Sequence, residues 1–145
     1  FFLILAAIAV VPAALFWRLL VASIVMLVGG FLGEVGTLSA MLGFIIGMIG
    51  WLYIVYEVFL GEASQINNVS GHAASQKAFN ALRWIVTVGW SIYPIGYILG
   101  YMTATADMAA LNLVYNLADF VNKIAFGVVI WAAATSDSNN SQRAN

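Results

Sequence analysis

The chain alternates between long apolar stretches and short polar breaks. A helix that crosses the hydrocarbon core of a bilayer takes about 20 largely apolar residues. Stretches of this kind occupy 18–32, 38–59, 78–102 and 108–135, and the longest polar break, 61–76, is predicted to be a loop. The residues before position 18 form a shorter apolar piece with a proline at position 12, which predicts the end of a further span and a tight turn. The pattern therefore predicts four full spans plus a stub.

Charged residues are scarce along the whole chain. Of its 145 residues, 63% are apolar and 8% are charged, and the formal net charge is -1. A soluble domain carries roughly a quarter charged residues, so a water-soluble globule is excluded. A nucleic-acid partner is excluded as well, because it would need a basic surface. The absence of cysteine rules out disulfides, a thiol nucleophile and a thiolate metal site. We predict an all-α membrane protein whose partner is the lipid bilayer.

The start of the chain and its cations give an expected boundary and orientation. The chain begins with Phe1 and Phe2, without an initiator methionine or a charged leader. We therefore expect it to begin inside a spanning helix and to be a piece of a longer protein. Cytoplasmic loops are enriched in lysine and arginine, and alternating passes put four cations on one side: Arg18, Lys77, Arg83 and Arg143. The 61–76 loop and a polar tail, 136–145, are thus predicted to be cytoplasmic.

The last span carries an acid and a base near its middle. A bare charge at this depth costs roughly several kcal/mol, and Asp119 and Lys123 are four residues apart, which puts both on one helix face. Tyr115 extends the same face by another turn. Three interpretations are open: a structural ion pair, a proton or ion relay, and a lysine that condenses with a carbonyl cofactor to a Schiff base whose charge Asp119 balances. The spacing alone does not choose among them.

The preceding span carries an aromatic face. Trp90, Tyr93, Pro94 and Tyr97 recur at the spacing of one helix face. Pro94 has no N–H for the carbonyl of Trp90, so we expect a kink there and a freed carbonyl. Large rings beside a kink form a flat apolar wall, which either packs against other helices or lines a pocket for a long conjugated ligand.

These two spans together resemble a known family. The segments RWIVTVGWSIYPIGYILGY and LNLVYNLADFVNKIAFGVVIW resemble the sixth and seventh helices of microbial rhodopsins, specifically of the proteorhodopsin family. The segments FFLILAA, LVGGFLGEVG and WLYIVYE resemble the end of the third helix and the fourth and fifth helices. The resemblance implies part of a seven-transmembrane-helix retinal-binding bundle at 1–135. The first two helices and nearly all of the third, which supplies the proton acceptor and donor in family pumps, are missing from the chain.

The resemblance also implies a cofactor and its site. All-trans retinal would be bound as a Schiff base on Lys123, with Asp119 as one half of its counterion and Tyr115 beside it. The polyene would be lined by Trp90, Tyr93, Pro94 and Tyr97. Residues on two other helices would complete the pocket: Met26 and Gly30 facing the chromophore, and Phe44, Gly47 and Trp51 around its ring end.

The function that the resemblance implies is light-driven outward proton pumping, an activity of a photoreceptor and ion transporter rather than of an enzyme. A sodium or chloride pump and a photosensor of the same fold are alternatives, as is a non-photoactive bundle with a structural Asp–Lys pair. The resemblance further implies a multi-pass protein of the cell inner membrane with a cytoplasmic C-terminus, and it allows a pentamer or hexamer. We interpret His72 as a solvated loop residue, and Glu34 and Glu57 as carboxylates that reach water at span ends.

Overall fold

The computed structural model describes residues 1–143, with the side chains of 137 and 139–143 excepted, and this part of the chain is almost entirely helical. The α-helices are α1 (Phe2–Ala6), α2 (Ala13–Glu34), α3 (Ala40–Phe59), α4 (Glu62–Val69), α5 (Ala73–Trp84), α6 (Ile92–Tyr97) and α7 (Met108–Arg143). Two π-helical segments, Ile85–Gly89 and Ile98–Met102, continue α5 and α6, so that α5 and α6 belong to one bent rod.

Within the described residues, four helical stretches are long and apolar enough to cross a membrane, as predicted. They are Ala13–Glu34, Ala40–Val69, Ala73–Met102 and Met108–Ser136. The last helix continues past the predicted end at 135 through Arg143, whose side chain lies outside the described residues, as do 144 and 145 entirely. The chain is an all-α membrane protein.

The predicted loop at 61–76 is wrong, because most of it is helical. Only Gly61 and the segment 70–72 interrupt the helices, and Gly71 makes the turn with a φ of 67°. Polar side chains of this segment instead form hydrogen bonds with the backbone groups that are left unpaired at the helix ends. The Nδ1 atom of His72 accepts from the N–H of Ser75 at 3.4 Å and caps α5. His72 lies in the interruption between α4 and α5, is half-buried, and serves there as the N-cap of α5.

Glycines allow α2 and α3 to pack backbone against backbone. A Cβ at Gly43 would lie 2.6 Å from the Cα of Gly33, and a Cβ at Gly50 would lie 2.6 Å from the carbonyl oxygen of Ala22. No real side chain fits at such distances, so the close approach depends on these glycines. The two helices form a rigid pair that presents one wall of the site described below.

An ion cluster and an apolar core hold the end of the bundle at which α1 and α4 lie. Leu5, Leu15, Val58, Ala63 and Phe79 are fully buried there.

Beside this core, Arg18 forms ion pairs with Glu62 and, at 3.4 Å, with Glu57. Glu57 is only 3% exposed and also accepts from the Tyr53 hydroxyl at 3.2 Å. The expectation that Glu57 reaches water is wrong, since α4 folds over the end of its helix and Arg18 supplies the partner that a buried carboxylate needs.

Candidate functional site

Pro94 rearranges the hydrogen bonds of the bent rod. The carbonyl of Trp90 loses its usual donor, but it accepts from the N–H of Tyr93 at 3.1 Å instead. The predicted free carbonyl at Trp90 is therefore wrong. The carbonyl of Gly89 loses its helical donor instead. That donor would have been the N–H of Tyr93, and the next residue, Pro94, has no N–H. The side-chain amide of Asn122 on α7 donates to the Gly89 oxygen at 3.1 Å.

The π-helical turn before Trp90 frees a second carbonyl. The N–H of Trp90 bonds to Ile85 at 3.2 Å, one residue further back than in an α-helix, so the oxygen of Val86 loses that donor. The indole N–H of Trp51 on α3 donates to this oxygen at 3.0 Å. The Val86 and Gly89 carbonyls near the bend are thus held by side chains from two neighbouring helices, α3 and α7.

Asp119 and Lys123 form an ion pair on α7 that is tied to α6. The Nζ atom of Lys123 lies 2.5 Å from Oδ2 of Asp119. The hydroxyl of Tyr93 donates to Oδ1 of the same carboxylate, and the hydroxyl of Tyr115 donates to the backbone oxygen of Tyr93 at 3.1 Å. The side chains of Lys123 and Asp119 are 75% and 45% exposed. The described chain therefore orients the pair firmly but leaves it open on one side.

One cavity of about 790 Å³ joins these groups. All the residues that the sequence predicted for a chromophore site line it: Met26, Gly30, Phe44, Gly47, Trp51, Trp90, Tyr93, Pro94, Tyr97, Tyr115, Asp119 and Lys123. The rings of Phe44 and Tyr97 lie 5.8 Å apart across the groove between α3 and α6. The walls are thus largely aromatic and aliphatic, with one amine.

Further residues line the same cavity without having been predicted: Ser23, Leu27, Phe31, Glu34, Gly43, Met48, Asn122 and Phe126. Helical spacing could have found several of them. Phe126 is three residues beyond Lys123, Asn122 is three beyond Asp119, and Met48 is four beyond Phe44. His72 does not line the cavity. The described residues contain no group of three or more acidic, histidine or cysteine side chains that could hold a metal ion.

Comparison with known proteins decides the family. The profile of the family described as Bacteriorhodopsin-like protein matches residues 1–137. The chain belongs to this family. It is 48% identical over 141 residues to the green-light absorbing proteorhodopsin of Gamma-proteobacterium EBAC31A08, covering 97% of this chain and 56% of that protein. It is 49% identical over 142 residues to the blue-light absorbing proteorhodopsin of Gamma-proteobacterium Hot 75m4, with the same coverage, 97% and 56%.

A solved family structure confirms the fold. The crystal structure of blue light-absorbing proteorhodopsin from Med12 superposes with a TM-score of 0.72 at 58% sequence identity, covering 86% of this chain and 56% of that one. The chain spans about half the length of the relatives that it matches. The predicted resemblance and fold class are confirmed: the chain is part of a seven-helix bundle of the rhodopsin family.

Proposed function

We propose that this chain is part of a light-driven outward proton pump in which retinal is attached to Lys123. The observation that carries the proposal is the position of the Lys123 amine, paired with Asp119, in the wall of one large aromatic cavity. The match to proteorhodopsins over 97% of the chain supports it.

The cavity suits a long apolar chromophore. Its volume of about 790 Å³ falls in the range of ordinary ligand sites, roughly 300–1,000 Å³. The chain contains two lysines, and Lys77 lies at a different, smaller cavity between α5 and α7. Lys123 is therefore the amine that can bind a carbonyl ligand in the aromatic site. When bound, retinal supplies absorption of visible light and a light-induced change of shape.

Asp119 acts as the charge partner of the attachment site. Its two oxygens are engaged separately, one by Lys123 and the other by the Tyr93 hydroxyl. A carboxylate fixed from two directions keeps its negative charge at one point beside a cation on Lys123. Tyr115 supports the arrangement because its hydroxyl bonds to the backbone of Tyr93. These side chains hold a charge balance that movement of a single proton would disturb.

The aromatic residues orient the ligand. Trp90, Tyr93 and Tyr97 present one face of the bent rod to the cavity, and Phe44 and Trp51 approach from α3. Large rings on opposite walls limit the conformations that a rigid polyene can adopt. Because Trp51 and the bend are joined by a hydrogen bond, the two walls keep a fixed spacing.

We also propose the setting of the protein. The basic residues favour a cytoplasmic C-terminus in a multi-pass protein of the inner membrane. The many apolar side chains exposed on α2 and α7 suit further helices of the bundle, lipid, and contacts between copies in a pentamer or hexamer; two of them are Phe31, 60% exposed, and Phe120, 64% exposed. As a pump, the protein moves an ion and is not an enzyme.

The test is a light-induced pH change. Cells that express the full-length protein carrying this chain, supplied with all-trans retinal, should acidify an unbuffered medium under illumination, and a protonophore should abolish the change. Replacing sodium and chloride in the medium by other ions should leave the signal unchanged. A signal that needs sodium or chloride would favour a pump for that ion, a coloured protein without any signal would favour a photosensor, and no coloured protein at all would favour a structural Asp–Lys pair.

A further inference from the structure

The hydrogen bond between Asn122 and Gly89 joins α7 to the bent rod next to Lys123 and Trp90. Asn122 directly precedes Lys123 on α7, and Gly89 directly precedes Trp90 on the bent rod. The Nδ2 atom of Asn122 donates to the Gly89 oxygen at 3.1 Å, at the carbonyl that the proline bend deprives of its helical donor. This hydrogen bond ties α7 to the π-helical segment Ile85–Gly89, beside the packing of Phe126 against the cluster that contains Val86.

Glycine at position 89 is what lets this link form. A Cβ there would collide with Oδ1 of Asn122 and lie 3.4 Å from Nδ2. The φ of Gly89 is not among the positive values, so its backbone conformation does not require glycine. The missing side chain instead makes room for the amide of Asn122 against the backbone. The bend thus frees the Gly89 oxygen as an acceptor, the glycine leaves space beside it, and the Asn122 amide on α7 is the donor.

We propose that Asn122 is a positioning residue that acts as a latch. Its bond to Gly89 keeps the π-helical segment Ile85–Gly89 in its packed conformation while the Lys123 side chain is at rest. The bond breaks when that side chain is displaced, and the segment then loosens. The inference rests on the proposed function, because light acting at Lys123 provides the displacement. Asn122 and Lys123 share adjacent backbone on α7, so a shift of that backbone at Lys123 also moves the amide of Asn122.

The second bond to this segment explains why Asn122 is the part that responds. Trp51 holds the Val86 oxygen from α3, which is packed closely against α2 through glycines. That link is on the rigid pair of helices and does not involve α7. Opening the Asn122 bond alone would release one end of the π-helical segment and leave the other end fixed, which allows the segment to loosen without losing its place in the bundle.

Amide hydrogen exchange of the peptide covering 85–93, measured by mass spectrometry, tests the latch in the full-length protein with retinal, in the dark and under continuous light. Asn122→Leu removes the donor at similar volume, and Gly89→Ala displaces the amide while keeping it. Gly127→Ala on α7 is the control, since a Cβ there meets no atom within 4 Å. Loss of one hydrogen bond predicts roughly three- to tenfold faster dark exchange in both variants and no change in the control.

The light response separates a latch from a merely structural bond. The unaltered protein and the control should show faster exchange of 85–93 in the light, whereas the two latch variants should already exchange at that rate in the dark and gain little from light. A full light response in the variants, or unchanged dark exchange, would overturn the proposal. If retinal gives no coloured protein, the proposed function fails, while the dark comparison still shows whether the bond protects the segment.

Discussion

The bond from the Tyr93 hydroxyl to Asp119 should contribute measurable stability, and a double-mutant cycle can measure the part that depends on the charge of the carboxylate. Tyr93→Phe deletes only the donor, and Asp119→Asn removes the charge of the acceptor. A hydrogen bond to a charged group contributes about 1.5–3 kcal/mol in a protein interior. Asp119 is 45% exposed in the described chain, and side-chain hydrogen bonds in membrane bundles average about 0.6 kcal/mol with a maximum near 1.7. We therefore expect a coupling energy of about 1 kcal/mol.

The assay is reversible unfolding of the full-length protein in mixed micelles, with the four members of the cycle compared at one lipid ratio. Tyr56→Phe serves as the matched control, because Tyr56 is 53% exposed on α3 and does not line the cavity. Its effect should simply add to that of Asp119→Asn. A coupling between Tyr93 and Asp119 no larger than that of the control pair would show that the hydroxyl does not hold the carboxylate, and the account of Asp119 as a doubly fixed charge would be wrong.

Two further substitutions test the cavity and the packing behind it. Trp90→Ala should shift the absorption maximum of the bound chromophore and slow or branch its photocycle. Trp131→Ala, at a residue 67% exposed and outside the cavity, should do neither. If flash spectroscopy finds both variants alike, Trp90 packs against other helices and does not contact the chromophore. Gly43→Ala should lower the free energy of unfolding by about 1–3 kcal/mol, because the new methyl group meets backbone atoms of α2, while Gly127→Ala should leave it nearly unchanged.

The sequence predicts the spans and much of the site because both depend on local spacing. Long apolar runs define the membrane helices, and helical periodicity places Tyr115, Asp119 and Lys123 on one face. The family resemblance supplies the residues from α2 and α3, which no local pattern could assign to a shared cavity. These predictions needed no knowledge of how the helices meet.

What the sequence could not predict depends on contacts between distant segments. Glu57 has the position of a residue that reaches water, and only the fold of α4 and the approach of Arg18 bury and pair it. The polar segment 61–76 is mostly helical, and His72 within it caps α5, a role that composition does not reveal. The part played by Asn122 becomes visible only when Gly89 is seen opposite to it.

The attachment residue is the most direct test of the central claim. Borohydride reduction under illumination of the full-length, retinal-loaded protein, followed by mass spectrometry of its peptides, should find the added mass on the peptide that contains Lys123. Lys123→Ala should fold but stay colourless and unlabelled, whereas Lys77→Ala should keep both colour and label. A label on Lys77, or a coloured Lys123→Ala protein, would contradict the account.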